Sequence, residues 1–129
     1  MIPKFRVWNA ETKAMYEVKS LVFTLRSMFC VNRKLIYPER TFYFDDENIC
    51  LMQSTGLFDK NGVEIFDGDI VNFMVPNQMI SGTYQIRQAK SGEWRLDNRV
   101  QGRPLYISGS YHCEVIGNVW ENPELLERG

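Results

Sequence analysis

Carboxylates crowd the middle of the chain. Asp59, Glu64, Asp67 and Asp69 fall within eleven residues, DKNGVEIFDGD. Two chemistries could use such a group. Clustered carboxylates bind hard cations, and a pair in unlike environments can divide acid and base roles in a hydrolase, with Asp67, Asp69 or Glu64 as the partners. Neither is well supported by the spacing. The acids follow no calcium-loop pattern, and no histidine accompanies them. Asp59, Asp67 and Asp69 each stand beside Gly or Asn-Gly, where a short carboxylate bonds nearby backbone N–H groups. Turn chemistry is the expected role.

Sulfur and imidazole are sparse. Cys30, Cys50 and Cys113 are far apart and odd in number, with no C-x-x-C to suggest zinc or a dithiol couple. Buried, reduced thiols are expected. The lone histidine, His112, precedes Cys113 in a strand-like run, where neighbours point to opposite faces and cannot form a nucleophile–base pair. No catalytic residue, metal site or cofactor is predicted.

Charge is balanced but unevenly placed. The 129 residues carry 15 Lys and Arg against 16 Asp and Glu. Basic residues gather at Lys19, Arg26, Arg33, Lys34 and Arg40, and again at Arg87, Lys90, Arg95, Arg99 and Arg103. Glu114, Glu121, Glu124 and Glu127 make the C-terminal segment acidic. Such polarity would steer an anionic partner, or bring the basic face of one copy to the acidic tail of another. Arg87, Arg95, Arg99 and Arg103, with Trp94 and Tyr106, are the candidates for phosphate contact and base stacking. The near-zero net charge counts against nucleic acid as the main partner.

The elements that must position these groups are short strands. Phe5–Trp8 and Met15–Val18 form a hairpin about a turn at residues 9–13, with Trp8 and Tyr16 expected to pack across it. Leu21–Leu25, Met28–Val31 and Thr41–Phe44 could each be strands, with a helix over 21–31 as the alternative. Ile49–Met52 and Val63–Phe66 flank the Asp59–Gly62 turn, and Ile70–Val75 follows Gly68-Asp69. Residues 81–87 and 93–97 make a second hairpin about Lys90-Ser91-Gly92. Leu105–Ile107 and Cys113–Val119 add further strands. Asn122 and Pro123 read as the cap and first position of a helical turn. The fold expected is all-β: one domain over 1–129 with a soft internal boundary near 48. Residues 49–121 would form a small SH3-like barrel or roll, preceded by N-terminal strands and followed by a short C-terminal helical turn. No apolar run reaches the roughly 20 residues of a membrane helix, and Met1-Ile2-Pro3-Lys4-Phe5-Arg6 has no apolar h-region of a signal peptide, so a cytoplasmic, non-membrane protein is expected.

Three blocks give the sequence a familial stamp. They are Lys4-Phe5-Arg6-Val7-Trp8-Asn9 with Met15-Tyr16; Leu51–Leu57 through Asp59-Lys60-Asn61-Gly62 to Asp67-Gly68-Asp69-Ile70-Val71; and Glu114–Leu126. In these the chain resembles the YopX family, small proteins of phages and prophages of Gram-positive bacteria. Asn9 stands where the family often has Asp, and Trp120 where Tyr is usual. Residues between Val18 and Asn48 carry none of its pattern. The resemblance implies a mostly β fold with a small SH3-like roll and a phage or prophage origin, and it brings no catalytic residues. The function expected is therefore that of a non-enzymatic module that binds a protein partner or its own copies as a homo-oligomer. Trp120, Leu125 and Leu126 are its candidate interface anchors, and a nucleic-acid-binding β-barrel is the alternative.

Overall fold

The computed structural model describes residues 4–73, 82–97, 105–106 and 113–127. The chain divides into two compact units, residues 1–53 and 54–129.

The first unit is an antiparallel sheet in the order β4-β3-β2-β1-β5, made of β1 (Phe5–Asn9), β2 (Ala14–Val22), β3 (Ser27–Val31), β4 (Glu39–Tyr43) and the start of β5 (Ile49–Phe58). The β1–β2 turn forms as its residues dictate: the Asn9 side chain accepts the Glu11 N–H at 3.0 Å, and Lys13 takes the left-handed conformation at φ 56°. The register sets Val7 opposite Tyr16 and Trp8 opposite Met15. Trp8 and Tyr16 therefore lie on opposite faces, and the expected contact between them does not form. Tyr16 packs instead edge-on against Phe42, centroids 5.0 Å apart, in a core shared with Val7, Met28 and Cys30. The ambiguous stretch from Leu21 resolves into the end of β2, a single 3-10 turn at Phe23–Leu25 and β3, with no α-helix. The turn closes on Arg26, a non-glycine residue at φ 51°.

The second unit begins within β5, whose end pairs with β6 (Glu64–Phe66). Five further strands follow: β7 (Asp69–Phe73), β8 (Gly82–Gln88), β9 (Trp94–Asp97), β10 (Leu105–Tyr106) and β11 (Cys113–Asn118). They form an antiparallel sheet in the order β10-β9-β8-β7-β11. Ile65, Val71, Tyr84, Ile86, Leu96 and Cys113 make its core. The mainly β expectation holds. The anticipated barrel is not closed, because among the described residues the ladder ends at β10, a strand of two residues, and at β11. The helical turn α1 (Glu124–Glu127) closes the described chain, packed beside β8. It starts one residue after Pro123, and the Asn122 side chain turns back to accept the Asn118 N–H at 3.4 Å. The expected run through Met74 and Val75, the break at Pro76-Asn77, and Ile107 lie outside the described residues.

Candidate interaction surfaces

Most of the chemistry-bearing residues serve the backbone. Asp59 is buried; its Oδ1 accepts the N–H groups of Asn61 at 2.8 Å and Val63 at 2.9 Å, and its Oδ2 accepts that of Val115 at 2.9 Å. Burial pushes its pKa up, but the three donors and the Lys60 ammonium outweigh that and hold the carboxyl below the usual range. Gly62 supplies φ 81° to complete the turn. Asp69, also buried, accepts the Phe66 N–H at 2.8 Å. Gly68 (φ 87°) donates to the Ile86 carbonyl and accepts from Val119, so this turn ties β8 to the end of β11. Asp67 stands half-buried beside it.

Between the Ser54–Phe66 and Phe58–Glu64 pairs the β5–β6 ladder is irregular, and side chains fill the gap. Thr55 Oγ1 donates to the Ile65 carbonyl at 2.7 Å and accepts the Leu57 N–H at 3.0 Å. Ser54 Oγ donates to Glu64 Oε2 and accepts the Gly56 N–H. This bridge was hidden in the sequence, because the small residues that signal it also serve in ordinary turns. No group of three or more metal-ligating side chains forms among the described residues.

The thiols are unpaired with one another, and none forms a disulfide. Burial pushes the Cys30 thiol up to about 11. Burial and then the Asp59 charge raise Cys113. Cys50 is half-buried rather than buried, opposite Trp8 in the register. His112 lies outside the described residues.

The two described arginines of the nucleic-acid alternative, Arg87 and Arg95, do not combine with Trp94. Arg87 and Arg95 are cross-strand partners on one face of the β8–β9 hairpin, and both reach Asp97, at 3.1 and 3.0 Å. Trp94, one residue on, packs against the core on the other face. Arg99, Arg103 and the Tyr106 side chain lie outside the described residues. Of the interface anchors, Trp120 is 41% exposed, its backbone N–H held by Asn118 Oδ1 at 3.0 Å. Leu125 and Leu126 are half-buried in α1.

Among the described residues the more open apolar surface lies in the first unit, where the sequence had suggested a basic surface but no apolar one. Phe23, Leu25, Ile36 and Tyr37 are 74, 69, 89 and 80% exposed, and Tyr43 on β4 is 54% exposed. In the sequence Phe23, Leu25 and Tyr43 fall in strand-like apolar runs, and Ile36 and Tyr37 directly precede Pro38. No described helix is long and apolar enough to cross a membrane.

A family model described as YopX protein matches residues 4–127. Among solved structures, protein EF1440 from Enterococcus faecalis is similar at 29% identity and a TM-score of 0.58, covering 98% of this chain and 99% of that one. Protein yopX from Bacillus subtilis is similar in fold at 20% identity and a TM-score of 0.66, covering 95% and 97%. No curated protein matches the chain.

Proposed function

The chain belongs to the YopX family, and from that premise we propose that it is a phage or prophage accessory protein of the host cytoplasm. It acts by docking onto other proteins, copies of itself included, without turning over a substrate. One observation carries this reading: the division of labour among side chains. Buried polar groups such as Asp59, Asp69 and Thr55 hold backbone in place, while large apolar and aromatic side chains stand open to solvent at Phe23, Ile36, Tyr37 and Trp120. Large apolar side chains left open in this way favour a covering partner. The nucleic-acid reading draws less support, since Asp97 offsets the two described arginines and Trp94 faces the core.

Substitution of Trp120, Leu125 and Leu126 tests the C-terminal surface. Trp120→Ala should weaken capture of a partner protein with the fold intact. In the double variant Leu125→Ala with Leu126→Ala, partner release with unchanged circular dichroism would make the leucines interface anchors. Loss of the folded state would assign them to the packing of α1. Capture unchanged in every variant would remove this surface from the account.

A further inference from the structure

We infer that the free edge of β4 pairs antiparallel with β4 of a second copy of this chain about a two-fold axis at Thr41. This inference rests on the docking reading above and names one of its partners.

The backbone sets the register. Phe44 N–H donates to the Arg26 carbonyl and Asn32 N–H to the Pro38 carbonyl, so the even-numbered residues of β4 bond inward to β3. Glu39, Thr41 and Tyr43 turn their N–H and C=O groups outward, at the edge of the sheet. Of these groups the Tyr43 carbonyl also accepts the Asp46 N–H of the following loop at 3.2 Å. An antiparallel neighbour must match outward groups with outward groups, which leaves three compact registers. One sets Arg40 against its own copy. Another sets Glu39 against Asp45. Like charges directly opposite are unfavourable. The register centred on Thr41 sets Thr41 against Thr41, Glu39 against Tyr43, and Arg40 against Phe42, over whose ring the guanidinium already lies 5.2 Å from the centroid within one chain.

The apolar residues agree with that choice. Phe23, Leu25 and Tyr43 lie at one end of the β3–β4 hairpin, and Leu35, Ile36 and Tyr37 at the other. Antiparallel pairing brings the first end of each copy to the second end of its mate, twice over. A second copy thus covers both patches, each with the other. Pro38 lies outside the paired residues, so its missing N–H costs the ladder nothing.

The test is light scattering on the full chain across about 1 µM to about 1 mM, for wild type, Thr41→Lys and Thr41→Pro. The lysine places like charges across the axis. The proline removes an outward N–H and leaves the bonds to β3 in place. Wild type should dimerise, and both variants should raise the dissociation constant at least about tenfold with unchanged circular dichroism. Amide exchange supplies a readout that does not depend on the variants: the Thr41 N–H should become protected as wild-type concentration rises. A wild type that stays monomeric, or a Thr41 amide that exchanges at one rate throughout, would overturn the pairing while leaving docking to other proteins standing. A dimer unaltered by Thr41→Lys would overturn it too, and would place self-association at another surface.

Discussion

Asp59 shows what a buried carboxylate does for the backbone around it. Its three backbone donors come from both sides of its own turn and from β11, so one side chain fixes the turn and the strand beside it. Asp59→Asn keeps the shape but loses the charge and presents an amide N–H where the Val115 N–H needs an acceptor. The expected cost at pH 7 is about 1–3 kcal/mol. Because the folded pKa is depressed, the stabilisation is complete above the unfolded value of about 4 and is lost as pH falls through the lower folded value. Urea unfolding of both proteins at neutral pH and in acid should show the gap narrowing in acid. A gap that does not change with pH would mean that the carboxylate charge contributes nothing. The role was legible from Asp-Lys-Asn-Gly, apart from the bond to Val115, which spans 56 residues and leaves no local mark.

Among the elements, hairpins with asparagine and glycine turns were readable because the turn residues name their own backbone angles: the 9–13 loop, Asp59–Gly62 and Lys90–Gly92 all form. Strands between Val18 and Asn48 were not, since short apolar runs fit a helix as well as a strand and tertiary pairing decides. Register was also hidden, and with it the separation of Trp8 from Tyr16. At β11, Val115 pairs with Val71 and Gly117 with Ile70, leaving Ile116 as the extra residue of a bulge. A Cβ on Gly117 would sit 2.6 Å from Asn122 Oδ1 and 2.9 Å from its Cγ. Gly117→Ala should therefore cost about 1–2 kcal/mol in thermal or urea unfolding. In an Asn122→Ala background the cost should shrink, because the two nearest crowded atoms are gone and only the Asn122 Cβ, at 3.0 Å, remains. Equal costs in both backgrounds would show that the strain lies elsewhere.

For the whole molecule, the sequence's uneven charge is partly settled by local pairs, Lys19 with Glu17 and Lys60 with Glu114, all four well exposed and each pair worth little. Charge alone therefore says less about partners than it did in the sequence. The apolar exposure of the first unit says more, and it was invisible until the β3–β4 hairpin placed those residues at the ends of a free edge. The most direct measurement is affinity capture of the tagged chain from prophage-induced cells after nuclease treatment, with the captured proteins identified by mass spectrometry and quantified. The docking account predicts a stoichiometric protein, a partner or untagged copies of the chain, that survives nuclease. Companions that all vanish with nuclease, or a bait recovered alone as a monomer, would contradict it.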